Sequence, residues 1–79
     1  MNVAIHSIGG TLYEGTAEKL ICDTPQGQMT VLDHHLPLIA RISGPSMSVV
    51  QKTAERSDIA LSGGFLEVRP GSEVVILAQ

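Results

Sequence analysis

The chain has 79 residues and a formal net charge of −3, and 43% of its residues are hydrophobic against 16% charged. This length suits one small domain spanning residues 1–79, and the apolar composition excludes an intrinsically disordered segment. The basic residues are scattered singly, and Tyr13 and Phe65 are the only aromatic residues. The sequence therefore lacks the cationic cluster and the stacking platform with which proteins bind nucleic acid.

The sequence also excludes a disulfide-stabilised domain and a helix that spans a membrane. The single cysteine, Cys22, excludes an internal disulfide and lies in an apolar run where it behaves as a small hydrophobic residue. No apolar stretch approaches the roughly 20 residues that a membrane-spanning helix needs, so no direct membrane insertion is expected.

Turn residues recur about every 8 to 12 positions, a spacing typical of all-β domains. In chain order, the turn signals are Gly9-Gly10, Gly15, Pro25 with Gly27, Asp33-His34, Gly44-Pro45, Glu55–Asp58, Gly63-Gly64 and Pro70-Gly71. Hairpin turns are predicted at Ile8–Thr11, where both central glycines accept a positive φ, and at Thr24–Gly27, Lys52–Arg56 and Arg69–Ser72.

The segments between these turns alternate with a period of two, which directs one set of side chains into a core. From the N-terminus, the sets are Val3 and Ile5; Leu20 and Cys22; Leu36, Leu38, Ala40 and Ile42; Met47, Val49 and Gln51; and Leu66 and Val68. Several of the opposite, outward sets are only weakly polar. The pattern predicts an all-β fold, a two-layer antiparallel β-sandwich of about eight to ten short strands.

Candidate chemical sites are weak. His34 and His35 are adjacent, so on a strand they point to opposite faces, and no cluster of further metal ligands accompanies them. Ser62, His35 and Asp58 supply the residue types of a hydrolytic triad without the strand-to-helix turn that presents a nucleophile. Gly63-Gly64 lacks the spacing of a phosphate-binding loop. No catalytic residue, metal or cofactor is therefore predicted, and a small hydrolase stays open only as an alternative.

Three blocks of sequence resemble one known family. The run Ser62–Val68 is similar to the Ser-Gly-Gly-x-x-Glu-Val signature of the N-terminal β-sandwich domain in the ε subunit of F-type ATP synthases. Gly15 with Glu18–Leu20 resembles an upstream strand of that domain. The third block matches the family's segment at Gly27, Gln28, Met29, Val31, Leu32, His35, Pro37 and Leu38. Thr30 and Asp33-His34 depart from the family's pattern, which implies a differently shaped loop before His35.

The resemblance implies a non-catalytic rotor subunit of the central stalk, which couples ion-driven rotation to ATP synthesis. It implies binding to the γ subunit at Ser7, His35 and Ala40 and to the proteolipid (c) ring at Gln28 and Met29. The location implied is peripheral, on the cytoplasmic face of the inner membrane through the complex. In the family a two-helix hairpin that can bind ATP follows the sandwich, and since the sequence ends at Gln79 we expect neither nucleotide binding nor helix-mediated inhibition. A stand-alone β-sandwich that binds a protein or peptide at an exposed strand edge is the alternative.

Overall fold

Eight β-strands make up the regular structure of the computed structural model, which describes residues 1–79. In chain order they are β1 (Asn2–Ser7), β2 (Gly10–Thr16), β3 (Lys19–Thr24), β4 (Gly27–Leu32), β5 (Leu38–Val50), β6 (Arg56–Ala60), β7 (Gly63–Arg69) and β8 (Glu73–Ala78). The all-β prediction is confirmed. The chain forms no helix long and apolar enough to span a membrane.

The strands form one continuous hydrogen-bonded sheet in the order β2-β1-β8-β7-β5-β3-β4, with β6 paired to β5. Every pair is antiparallel except that of β1 with β8, which runs parallel from Asn2↔Glu73 to His6↔Leu77. This pair departs from the purely antiparallel arrangement that was predicted. Parallel neighbours cannot be joined by a hairpin, and the first and last strands of the chain are connected only through the six strands between them.

The long strand β5 belongs to two layers. Its first half, Leu38–Ser43, pairs with β7, and its second half, Ser46–Val50, pairs with β6 and β3. The first layer thus contains β2, β1, β8, β7 and the first half of β5, and the second layer contains β4, β3, β6 and the second half of β5. A turn was predicted at Gly44-Pro45, but the strand continues through it. A Cβ at Gly44 would collide with the carbonyl oxygen of Leu61, so glycine is required where β5 crosses.

The core is one cluster of 15 buried residues drawn from both layers. Six strands and two connections supply it: Val3, Ile5, Ala17, Leu20, Cys22, Val31, Ile42, Met47, Val49, Leu61, Leu66, Val68, Val74, Ile76 and Ala78. The predicted alternation is confirmed in β1, β3 and β7. It is wrong for Leu36, which is 79% exposed because it lies in the loop before β5.

The predicted hairpins are confirmed, with two corrections. The connections are Ile8–Gly9, Pro25–Gln26, Gln51–Glu55 and Pro70–Ser72. In the first of them only Gly10 has a positive φ, of 134°, rather than both glycines. Gly15 lies inside β2 and forms no turn.

Most connections fall at two opposite ends of the strands. The register places Ser7 opposite Gly10 and Ser43 opposite Gly63, so one end carries the connections around Ile8–Gly9, Gly44–Pro45 and Leu61–Ser62. We call it the Ile8 end. The other, the Met1 end, carries the N-terminus and the connections at residues 17–18, 33–37, 51–55 and 70–72. The β3–β4 connection at Pro25–Gln26 lies instead beside Ile39–Arg41 of β5.

Candidate protein-binding surfaces

The outer face of the first layer carries a contiguous apolar surface. Ile39 is 74% exposed, Phe65 51% and Leu77 57%. Phe65 of β7 pairs directly with Leu77 of β8. Ile39 of β5 pairs with Glu67 of β7, in the next row of outward-facing residues across the sheet. Half-buried Val75 and Ala4 continue that row onto β8 and β1. We call these five residues the apolar face.

The apolar face arises because β5, β7 and β8 carry apolar residues at some of their outward positions as well as at their inward ones. Leu66 and Ile76 point into the core and are fully buried, so their neighbours Phe65 and Leu77 must point outward. The sequence carried this signal in its weakly polar outward sets. Without knowledge of which strands are neighbours, however, those residues could not be recognised as one surface.

Polar groups adjoin the apolar face, and one of them, Glu67, lies in the row between Ile39 and Val75. Arg69 Nε donates to Glu67 Oε1 at 2.9 Å, and His6 Nδ1 lies 3.2 Å from Thr11 Oγ1. Arg41, which pairs with Phe65 in the ladder, is exposed and forms no ion pair. An apolar centre with a polar rim is the composition typical of protein–protein interfaces.

The three residues predicted to face γ are spread along the first layer. Ser7 ends β1 at the Ile8 end, where its hydroxyl donates to the Gly10 carbonyl at 3.0 Å. His35 lies at the opposite end, since it precedes β5 in the 33–37 loop. A six-residue strand spans about 20 Å, so Ser7 and His35 can share a partner only across a surface of that length.

Ala40 lies between them in the middle of the first half of β5. It pairs with Leu66, which is fully buried, and therefore points toward the core side while Ile39 and Arg41 point outward. Ala40 is nonetheless half-buried rather than buried, because this half of β5 is the last strand of the first layer.

The two residues predicted to face the ring diverge. Gln28 and Met29 are neighbours on β4, but Gln28 is exposed whereas Met29 packs against the core opposite Cys22. Met29 lines a shallow depression together with Ala40, Ile39 and Pro25. Met29 therefore lies close to Ala40, a residue predicted to face the other partner. The side chains of Met29 and Gln28 lie on opposite faces of β4.

The loop containing His35 is fastened at several points. The backbone N–H of His35 donates to the Leu32 carbonyl at 3.2 Å, and its Nδ1 lies 2.8 Å from the Leu36 carbonyl. His34 Nδ1 lies 3.2 Å from the Ser72 hydroxyl, and the Met1 ammonium lies 3.4 Å from Asp33 Oδ1. The loop is therefore held to both the N-terminus and the β7–β8 connection.

The charge of Asp33 is stabilised within this network. Desolvation raises the pKa of its carboxyl group, but hydrogen bonds from Ser72 and the N-terminal ammonium outweigh that effect and leave the pKa below its usual value. Asp33 is consequently an anion at neutral pH, as its contact with the ammonium requires.

The residues considered for catalysis do not form a site. Ser62 Oγ donates to the Gln79 carbonyl at 3.0 Å at the Ile8 end, whereas His35 lies at the Met1 end. The hydrolase alternative is therefore wrong for this triad. Cys22 is buried, and burial together with the nearby charge of Asp23 raises the pKa of its thiol to about 11, so it carries no reactive thiolate.

Comparison with known proteins places this geometry in a family. A family model described as "ATP synthase, Delta/Epsilon chain, beta-sandwich domain" matches residues 1–79. The ATP synthase epsilon chain of Shouchella clausii is 34% identical over 80 residues, covering 100% of this chain and 58% of that protein. The corresponding chain of Laribacter hongkongensis is 36% identical over 77 residues, covering 96% of this chain and 55% of its own length. This chain thus spans little more than half the length of these relatives.

Solved structures share the fold at lower sequence identity. A chain of the Euglena gracilis mitochondrial ATP synthase, solved as OSCP/F1/c-ring, superposes with a TM-score of 0.88 at 18% identity, covering 96% of this chain and 48% of that one. A chain of the Tetrahymena thermophila mitochondrial ATP synthase central stalk/c-ring gives 0.80 at 13% identity, covering 100% and 63%. Because the family model matches over the full length and the relatives exceed 30% identity, this chain belongs to the family of ATP synthase delta/epsilon-chain β-sandwich domains.

Proposed function

We propose that this chain is a non-catalytic component of the central stalk of an F-type ATP synthase, which binds the γ subunit and the proteolipid ring and couples ion-driven rotation to ATP synthesis. Membership of the delta/epsilon-chain family supports the assignment. The observation that carries it is the apolar face, because a chain in this role must dock on a partner. The proposal places the chain peripherally, on the cytoplasmic face of the inner membrane, through the complex.

The apolar face is the proposed γ-binding surface. Interfaces of ordinary size bury about 800 Å² on each partner, and aromatic side chains supply a large share of their binding energy. Phe65 lies centrally in the apolar face and is half exposed, so a partner could bury its ring. Ser7 and His35 would then contact γ at the two ends of the apolar face and Ala40 at the open side of β5 beside it, and Gln28 with Met29 would lie toward the ring.

The fold suits a coupling role because it resists deformation. Side chains from both layers are close-packed in one core, and β5 joins the layers covalently as well as through that core. A body that transmits rotation between two partners must keep their binding surfaces at a fixed separation. In this proposal the chain contributes rigidity and two binding surfaces, and no chemical step.

Titration of the chain with purified γ subunit tests the proposal. We expect Phe65→Ser to weaken γ binding by about tenfold or more, because the variant loses the burial of an aromatic ring. Leu32→Ser is the matched control, since Leu32 is similarly exposed but lies on β4 in the second layer. Failure of the unaltered chain to bind γ, or equal losses in both variants, would contradict the proposal.

The unpaired edges of β4 and of the first half of β5 favour a second candidate. Each strand has a neighbour on one side only, and the depression lined by Met29 and Ala40 lies beside them. An extended peptide could add to such an edge through backbone hydrogen bonds. If the chain binds extended peptides but does not bind γ, the result would support this stand-alone peptide-binding module instead.

A further inference from the structure

The register of the first layer determines which side chains are neighbours on its outer face. One row crosses every strand of this layer and consists of Arg41, Phe65, Leu77, His6 and Thr11. Phe65 and Leu77 belong to the apolar face, and His6 pairs directly with Leu77. Because paired side chains on one face of a sheet lie in contact range, a partner that covers Leu77 also covers His6.

The imidazole of His6 is half-buried before any partner binds. It lies between Leu77 of β8 and Thr11 of β2, whose hydroxyl oxygen is 3.2 Å from Nδ1. A hydroxyl group can donate to an unprotonated ring nitrogen or accept from a protonated one, so this contact suits the neutral and the charged imidazole alike. The second ring nitrogen, Nε2, makes no hydrogen bond with the rest of the chain.

No carboxylate is placed to balance a positive charge on His6. On the two flanking strands, Glu14 of β2 lies one row away and Glu73 of β8 lies two rows away, and neither forms an ion pair with the imidazole. On the next strand, β7, Glu67 is already paired with an arginine. The other charged side chain in the row of His6 is Arg41, which is also a cation.

Histidine is the side chain whose charge ordinarily changes between about pH 5 and pH 8. A partner can cover a neutral imidazole at small cost, whereas an imidazolium would lose its hydration without gaining a counter-charge from this chain. We infer that His6 makes docking of the apolar face on the γ subunit dependent on pH: the face docks with the imidazole neutral, and protonation of His6 opposes docking. This inference rests on the proposed function and adds a regulatory residue to the same surface.

Titrations of the chain with purified γ at pH 7.5 and at pH 5.5 test the inference. The affinity of the unaltered chain should fall roughly tenfold at pH 5.5, because a histidine side chain is ordinarily about nine-tenths protonated there. His6→Gln, whose amide can still hydrogen-bond to Thr11, should bind γ at pH 7.5 and change in affinity by less than about threefold at pH 5.5. Since γ is the same in both titrations, the difference between the two chains isolates His6.

The matched control is His35→Gln, which removes the other half-buried histidine. Whatever its affinity at pH 7.5, its loss on acidification should stay roughly tenfold, as in the unaltered chain. Acid unfolding does not account for such a loss, because the pKa values of Asp33 and Asp58 are lowered and both carboxylates stay ionised at pH 5.5. Circular dichroism spectra at the two pH values should accordingly be the same.

Calorimetric titration at pH 6.5 in buffers of different ionisation enthalpy provides an independent measurement. On binding γ, the unaltered chain should release roughly half a proton more than His6→Gln. Equal proton release, an affinity of the unaltered chain that changes less than about twofold between pH 7.5 and pH 5.5, or a tenfold loss retained in His6→Gln would overturn the inference and leave the γ-binding proposal standing. If the unaltered chain failed to bind γ at pH 7.5, the proposed function itself would be refuted, and this inference with it.

Discussion

The hydroxyl of Ser48 donates a 2.7 Å hydrogen bond to Oδ1 of Asp58, across the pairing of β5 with β6. Ser48 is buried, and Arg56 Nε donates to the same carboxylate oxygen at 3.1 Å from the solvent side. These hydrogen bonds, that from Ser48 first, lower the pKa of Asp58 in spite of desolvation. The carboxylate therefore holds β6, the shortest strand, to the second half of β5.

Acid should weaken this connection. Because the folded-state pKa of Asp58 lies below its unfolded value of about 3.9, its contribution is present above that pH and is lost as the pH falls through the folded pKa. We expect Asp58→Asn to lose less melting temperature than the unaltered chain between pH 7 and pH 3, in melts followed by circular dichroism. The control is Glu14→Gln, because the Glu14 carboxylate makes no side-chain hydrogen bond. If the melting temperatures of Asp58→Asn and of the unaltered chain fell in parallel between pH 7 and pH 3, the role assigned to Asp58 would be contradicted.

Gly64 should tolerate no side chain. Its φ is +153°, and a Cβ there would collide with the carbonyl oxygen of Leu77 in β8. We expect Gly64→Ala to lower the free energy of unfolding by about 3 kcal/mol or more, from backbone strain and displacement of β8 together. Gly27→Ala separates the two effects, because Gly27 has a φ of +123° with nothing within 4 Å, so only about 1–2 kcal/mol should be lost. Equal losses in urea denaturation would show that the close approach to β8 is unimportant.

Neighbouring residues of β8 should differ sharply in their contribution to stability. Ile76 is fully buried, and Ile76→Ala should cost about 2–5 kcal/mol because it leaves a cavity in the shared core. Leu77 is 57% exposed on the apolar face, and Leu77→Ala should change stability by no more than about 0.5 kcal/mol. For γ binding, measured on the folded fraction of each variant, we expect the reverse order: Leu77→Ala should lose more affinity than Ile76→Ala. A large stability loss in Leu77→Ala would mean that the apolar face is part of the fold rather than a docking surface.

His35→Ala should weaken γ binding while the fold stays intact. The imidazole hydrogen-bonds to the carbonyl of the next residue, Leu36, so its removal breaks no side-chain hydrogen bond between strands. We expect the melting temperature to change little and the affinity for γ to fall about tenfold, the effect of one contact at the edge of a typical interface. The control is His34→Ala, which loses the contact with Ser72 and should lower stability. Unchanged affinity of His35→Ala would remove this residue from the interface.

Local patterns predicted the parts of the fold that local interactions determine. Val3 with Ile5 and Leu66 with Val68 were placed correctly in the core, because strand geometry alone fixes an alternation of faces. The parallel pairing of β1 with β8 was missed, since nothing near Val3 specifies Val74 as its neighbour. The apolar face was missed for the same reason. The predicted contacts of Ser7, Gln28, Met29, His35 and Ala40 remain predictions, and the structure adds that they belong to different sides of the molecule.

The sharing of β5 between the layers has a mechanical consequence. In a sandwich whose layers meet only through side chains, a shear load makes the sheets slip past one another, since apolar contacts offer little resistance to sliding. Here one unbroken strand runs from Leu38 to Val50 through both layers, so the same load is carried by covalent backbone and by ladder hydrogen bonds on either side of Gly44. Under tension the molecule should yield as a whole, at one rupture force, rather than layer by layer.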